Sequence, residues 1–367
     1  MYILTKDNQF GFKAKHGTDM CIFALKEIIA SYRSRNSSLF LCFLDASKAF
    51  DRVNHEKLFT KMADRGIPKY LIRILVFWYT HQTMMARWGS SVSEPFHVSN
   101  GVRQGGILSP FLFNLYMDGL SDNLNACKKG CVVGSIVVNH LMYADDLVII
   151  SPSTAGLQSL LKICSEYGYD NDVKYNAKKS HVIIIRCKEH RRLVFPDFYL
   201  CGAKLNVCTE VMYLGHFFTE DLCDDKDISR QCRKLYAQGN MLVRKFHMCS
   251  PDVKVALFRA YCTPLYTAHL WSNFKKSSLH RLTVAYNDAM RMLLRVPRYF
   301  SASQMFAELN VPACSAVLRN LMYKFIQRVD VSENSILKML VNPSYSSLRY
   351  TSGLWKFWLK SLLAPRN

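Results

Sequence analysis

No two cysteines in this sequence have the CxxC spacing, although thirteen of them run from Cys21 to Cys314. A structural zinc site is therefore not expected: Cys127 and Cys131 could supply half of one, but no second pair follows at ligand spacing. Scattered thiols in odd number read as reduced cysteines of an intracellular protein, not as a disulfide framework. Long hydrophobic runs are missing too. The most apolar stretch, Leu71 to Tyr79, is interrupted by Arg73 and is far short of the ~20 residues that span a membrane. The opening MYILTKDNQF has no apolar core of signal-peptide length. Repeats, low-complexity tracts and Gly/Ser linkers are also absent, which argues against a solenoid or a flexible joint.

Acidic residues are scarce in one part of the chain only. Residues 226–367 carry 22 Lys/Arg against 6 Asp/Glu, whereas residues 1–225 carry 26 against 22; the whole has a formal charge of +20. Such an excess implies a polyanionic partner, nucleic acid first and an anionic membrane surface second. Its unevenness suggests carboxylates doing chemistry in front and a basic region gripping phosphates behind. Half of the 367 residues are hydrophobic, enough for two or three domains with cores of their own.

The pattern predicts a helix over 18–33, with Thr18 or Asp19 as cap and Ile22, Leu25, Ile28 and Ile29 on one stripe. LFLCFL at 39–44 suits a fully buried central strand ending at Asp45. Helices are expected up to Gly66, with Asp51 as a candidate cap, and from Ile67 through Trp78. A hairpin is expected over 84–99 and a helix from Ser109 to about Asn125, with Ser109 as cap and Pro110 in the first turn. Residues 132–150 read as a hairpin with Asp145 and Asp146 at its tip. A helix at 154–167 and strands at 181–186, 198–201 and 211–218 follow, and from Asp224 the pattern turns helical and basic. The expected fold is α+β with a helical basic appendage.

Asp45 closes one apolar strand, and Asp145 and Asp146 sit between two others. Carboxylates at strand ends are costly to bury unless a cation compensates them, and three converging would suit two hard divalent ions. A DD pair alone is more often a solvated turn; apolar runs on both sides and a second strand-end Asp strengthen the metal reading.

FLDASKAFD at 43–51 resembles the first catalytic motif of non-LTR retrotransposon reverse transcriptases, and YADD at 143–146 resembles their second. GVRQGGILSPFLFNLYMDGL at 101–120 resembles the motif between them. QFGFKAKHGTD at 9–19, NAKKS at 176–180 and YLG at 213–215 resemble the fingers–palm link, a later palm motif and the primer grip. These six segments stand in family order. The resemblance implies a reverse-transcriptase palm, an antiparallel sheet backed by helices, followed by a mostly helical basic thumb. The implied division is 1–37 for residual fingers, 38–222 for the palm and 223–367 for the thumb and C-terminal region. It implies an RNA template, a DNA primer, deoxynucleoside triphosphates and two Mg2+ ions, with Mn2+ as a substitute. The ligands would be Asp45, Asp145 and Asp146 with the carbonyl of Ala46.

At matching positions, Phe50 would pack under the incoming sugar and exclude a 2′-hydroxyl, though it also reads as ordinary core. Gln104, Gly105 and Gly106 would lie beside the nascent base pair, or form a simple turn. Lys179 would approach the triphosphate and protonate pyrophosphate, or be a surface lysine. Tyr213, Leu214 and Gly215 would form the primer grip. Arg230, Arg233, Lys234, Arg244 and Lys245, with Arg291, Arg295 and Arg298 on another helix, would track phosphates.

The family's fuller fingers and its upstream endonuclease are not seen, so a truncated frame is expected, and with it a rival: a non-catalytic nucleic-acid-binding remnant. A metal-dependent phosphatase or nuclease is a second rival, but it leaves the Gln104 loop and Phe50 without a role. Nuclear localisation is implied by the family alone.

Overall fold

The computed structural model describes residues 6–187, 189–190 and 193–341. Two compact units emerge, one from residues 6–21 and 35–208, the other from 22–34 and 209–341.

Helix α1 (Thr18–Ser34) forms as its stripe predicts, with Ile22, Leu25, Ile28 and Ile29 fully buried. Strand β1 (Leu39–Leu44) is buried at every position. This explains a run without alternation: both faces of the strand are covered. A 3-10 turn at Phe50–Arg52 leads to α2 (His55–Asp64). The cap of α2 is Asn54, whose side chain accepts from the Lys57 N–H, so Asp51 does not cap it; Asp51 lies three residues too early, inside the 3-10 turn. Gly66 takes φ +69°, and α3 (Lys69–Thr80) follows.

The 84–99 hairpin is present but interrupted. β2 (Thr83–Met84) pairs with β5 (Phe96–His97), and β3 (Arg87–Trp88) with β4 (Ser91–Val92). Pro95, which has no N–H to donate, lies in the gap. α4 (Ser109–Ala126) is capped at Leu108 without a side-chain bond; Ser109 is its first helical residue and Pro110 lies in the first turn, where a missing N–H costs nothing. β6 (Cys131–Val133) and β7 (Ile136–Val138) form one hairpin, and β8 (His140–Tyr143) with β9 (Asp146–Ser151) the next. α5 (Thr154–Asp170) is capped by Ser153, which accepts from the Gly156 N–H. β10 (His181–Ile185), the short pair β11 (Tyr199–Leu200) and β12 (Ala203–Lys204), and β13 (Asn206–Val207) complete the unit.

The main sheet has the order β13-β10-β1-β9-β8. β1 is antiparallel to β10 and β9, with Leu44 opposite Leu147. Alternate residues Phe40, Cys42 and Leu44 join Leu112, Tyr116 and Leu120 of α4 and Leu157, Leu160 and Leu161 of α5 in one core. A sheet backed by helices is what the resemblance implies, and it is antiparallel from β10 to β8; the short outer strand β13 departs from that pattern by pairing parallel to β10.

In the other unit, β14 (Glu210–Tyr213) and β15 (His216–Thr219) form a hairpin. α6 (Asp225–Phe246), α7 (Pro251–Tyr261), α8 (Lys276–Leu294), α9 (Ala302–Glu308), α10 (Cys314–Asp330) and α11 (Ser335–Val341) follow. Ile228, Leu235 and Leu242, seven residues apart on α6, pack with Leu282, Ala289 and Leu293 of α8, Phe258 and Phe306. A Cβ at Gly239 would stand 3.3 Å from that of Ala289, which lets α6 and α8 approach closely. Among the described residues, no helix is long and apolar enough to cross a membrane.

Candidate active site

The site arises from sheet register. Continuing the β1–β9 pairing one step past Leu44 and Leu147 sets Asp45 opposite Asp146, and the β8–β9 hairpin pairs Tyr143 with Asp146 across the turn holding Ala144 and Asp145. Residues a hundred positions apart in the chain therefore emerge at the same end of the sheet.

The electrostatics record this proximity. The Asp146 carboxyl is raised to about 6, by desolvation first and then by the charges of Asp145 and Asp45, although more than a third of the residue is open to solvent. Desolvation also raises Asp145, with Asp45 adding to it. None of the three carboxylates forms an ion pair with Lys, Arg or His among the described residues. No cation among the described residues thus offsets their charge, although a backbone hydrogen bond favours the ionised form of Asp145, and hard oxygen donors of this kind suit Mg2+. Among the described residues no three His, Cys, Asp or Glu side chains are arranged to hold a metal by themselves. Carboxylate oxygens are nonetheless the donor type that Mg2+ takes, one or two at a time, with water and substrate phosphates completing its shell.

The strand ends are tied down by main-chain bonds. The Asn176 N–H donates to the Asp45 carbonyl at 2.8 Å and the Ser47 N–H to the Lys174 carbonyl at 2.8 Å. Ala46, bridged to Tyr175 between them, therefore directs its own carbonyl away from that segment, as alternate residues of an antiparallel pair do. Ser180, fully buried, accepts from the Asp45 N–H at 3.1 Å and donates to the Asn176 carbonyl at 2.9 Å. Lys179 is exposed on the turn between these anchors. The support from Ser180 was not foreseen, and the NAKKS motif was its only trace in the sequence.

Phe50 is half-buried and stacked on Phe113, ring centroids 4.4 Å apart at 10°, with Phe12 edge-on at 6.1 Å. Gln104 donates to Asp51 at 3.4 Å. Both line a cleft of about 740 Å³ with Met84, Phe96, Gly101 and Arg103. Gly105 has φ +82° with nothing near a would-be Cβ, so backbone conformation, not crowding, demands glycine there. At Gly106 a Cβ would meet the Ser109 hydroxyl at 2.8 Å.

Tyr213, Leu214 and Gly215 lie in the second unit, at the β14–β15 turn. Leu214 (φ +46°) and Gly215 (φ +74°) are both left-handed, the signature of a type I′ hairpin turn. The Tyr266 hydroxyl donates to the Leu214 carbonyl at 2.8 Å, and its ring would lie 2.9 Å from a Cβ at Gly215. Gly215→Ala should therefore loosen this turn at a cost of roughly 1–3 kcal/mol; hydrogen exchange across β14 and β15 that matches the wild type would contradict it.

On α6, Arg233, Lys234, Arg244 and Lys245 are exposed, on one side of the helix at 100° per residue. Arg230 is committed to the buried Asp227 at 2.8 Å. α8 ends at Leu294, so Arg295 and Arg298 lie past its end; Asp288 holds Arg291 and Arg298. With Tyr236 these arginines line a cleft of about 520 Å³.

Residues 2–218 match the family described as reverse transcriptase (RNA-dependent DNA polymerase), and the chain belongs to it, in the company of non-LTR retrotransposon enzymes. It is 25% identical over 344 residues to the RNA-directed DNA polymerase from mobile element jockey of Drosophila funebris, covering 90% of this chain and 37% of that protein. It is 32% identical over 188 residues to the Pol polyprotein of the type-2 retrotransposable element R2DM of Drosophila melanogaster, covering 50% and 18%. The match thus spans little more than a third of the length of the jockey protein and less than a fifth of the R2DM polyprotein. The solved structure of apo telomerase from Candida tropicalis aligns at a TM-score of 0.46 and 14% identity, covering 97% of this chain and 55% of that one.

Proposed function

We propose that the Asp45–Asp145–Asp146 cluster is the active centre of an RNA-directed DNA polymerase that adds deoxynucleotides to a primer 3′-hydroxyl. The observation that carries this reading is the carboxylate cluster without an ion-paired cation among the described residues, built by strand register at one end of a reverse-transcriptase sheet. Asp45 and Asp145 would ligate the divalent ions, with Asp146 beside them and the Ala46 carbonyl completing the set. When bound, two Mg2+ ions, or Mn2+ in their place, would lower the cost of ionising the attacking hydroxyl and of charge on departing pyrophosphate.

The remaining residues bind and orient. The Gln104–Gly105 segment would offer backbone and amide to the templated base pair, and Lys179 a proton to the leaving pyrophosphate. Tyr213, Leu214 and Gly215 would hold the primer end. Arg233, Lys234, Arg244 and Lys245 would follow the phosphates, with Arg230 setting the helix that carries them. Primer extension on an RNA template with Mg2+ tests the assignment. Incorporation supports it; tight template–primer binding without incorporation would instead favour a non-catalytic remnant, and hydrolysis alone a nuclease.

Phe50, braced by Phe113, would meet a ribose 2′-hydroxyl face-on. Phe50→Val should raise ribonucleotide relative to deoxynucleotide incorporation on the order of 10–100-fold, the scale of one steric contact in a pocket. An unchanged ratio in competition assays would return Phe50 to ordinary core.

A further inference from the structure

The turn that carries Asp145 cannot hold its shape by strand pairing alone. Ala144, the residue before Asp145, has φ +59°, a left-handed conformation unfavourable for a residue with a Cβ. It is also buried, so its N–H and carbonyl need partners inside the protein. One side chain addresses both: the Gln9 Oε1 accepts from the Ala144 N–H at 3.0 Å, and the Gln9 Nε2 donates towards the Ala144 carbonyl at 3.4 Å.

Gln9 is itself fixed. It is 3% exposed, its Oε1 also accepts from the Gly11 N–H at 2.8 Å, and its segment lies along β8 through the Phe10 N–H to Met142 carbonyl bond at 2.7 Å and the Met142 N–H to Asn8 carbonyl bond at 2.8 Å. Gly11 permits the approach: a Cβ there would lie 2.4 Å from the Ala144 nitrogen and 3.0 Å from the Tyr143 carbonyl carbon. Asn114 of α4 then donates to the Gly11 carbonyl at 2.9 Å. All these groups belong to one compact unit.

We infer that Gln9 is the positioning residue of the catalytic turn: its amide holds the left-handed Ala144 peptide and thereby sets where the Asp145 carboxylate stands for the divalent ion. The inference rests on the polymerase reading for its purpose, but the clamp acts on cation affinity whether or not the chain polymerises. Partners that orient a metal ligand without touching the metal are commonly worth 10–100-fold in affinity or activity.

The test is Gln9→Met, which keeps the volume and removes both hydrogen bonds to Ala144 along with the one from Gly11. Gln9→Asn, one methylene too short to span Ala144, replaces it if the Met variant does not fold by circular dichroism. Two measurements are made on the full chain: Mn2+ affinity by water-proton relaxation, with Asp145→Asn as reference, and primer extension on an RNA template. The variant should bind Mn2+ about 10-fold more weakly and lose about 10–100-fold in kcat with Mg2+, with dNTP KM and template–primer Kd within about twofold. A merely structural residue would instead lower the active fraction and leave Mn2+ affinity per folded molecule unchanged; that result overturns the inference, as does a wild-type Mn2+ affinity indifferent to Asp145→Asn. A wild-type chain that never extends a primer, yet loses Mn2+ affinity in Gln9→Met, refutes the polymerase reading and leaves the clamp standing.

Discussion

Asp145→Asn should lower Mg2+-dependent primer extension by at least about 1000-fold, since a two-ion centre contributes several kcal/mol of transition-state stabilisation. The same substitution should leave the cation-free protein as stable as the wild type or more so. Asp45, Asp145 and Asp146 repel one another with no ion-paired cation among the described residues, and this repulsion, after desolvation, is what holds Asp146 near 6. A group whose folded pKa is raised contributes stability below its unfolded value, near 4, and that contribution is lost as pH rises through the folded value. Ionisation of Asp146 thus works against the cation-free fold between about pH 4 and 6, and a divalent ion reverses this above pH 6. Mg2+ should accordingly raise the thermal midpoint of the wild type at pH 7.5, much less at pH 5, and hardly at all in Asp145→Asn. Extension that persists in Asp145→Asn at wild-type rates would remove the catalytic assignment.

The second large effect lies in the helical unit and concerns stability. His216, buried, stands between two buried aspartates, its Nε2 3.5 Å from Asp224 and its Nδ1 3.3 Å from Asp227. Lys26 donates to Asp224 at 2.7 Å. Asp227 accepts from the Trp271 indole at 2.8 Å, from Thr267 at 3.2 Å and from Arg230. Burial alone would raise both carboxyls. For Asp224 it is outweighed by Lys26 and His216, which hold it well below the usual range; for Asp227 the His216 bond and charge, then Trp271 and Arg230, hold it at about 2.

Asp227→Ala leaves Arg230, the Trp271 N–H and the Thr267 hydroxyl without their common acceptor. Removing one member of such a network costs about 3–5 kcal/mol, so the denaturation midpoint of this unit should fall sharply. Because the folded carboxyls are depressed, their contribution is complete above about pH 5 and is lost as pH falls from about 4 towards 2. Hydrogen exchange in α6 and α8 should thus accelerate over that window in the wild type and much less in Asp227→Ala. Equal acid sensitivity in the two proteins would show that the network contributes nothing.

The linear sequence is sufficient for the family and for most of the helices and the central strands of the first unit, though one hairpin expected over 132–150 is two. Runs such as LFLCFL and the α1 stripe of Ile22, Leu25, Ile28 and Ile29 are local signals, because burial imposes period on neighbouring residues. Motif order from QFGF to YLG likewise survives as a string and agrees with the family match over residues 2–218. Cap choice was less legible: Asn54, not Asp51, and Leu108, not Ser109, precede their helices, since several nearby residues could cap and packing selects among them. What only the folded chain decides is which distant residues meet. The opposition of Asp45 and Asp146 depends on the register of β1 against β9, and the grip of Gln9 on Ala144 spans 135 positions. Neither has a local sequence pattern, because a strand's hydrophobic period records which face is buried but not which partner, or which residue of that partner, lies alongside.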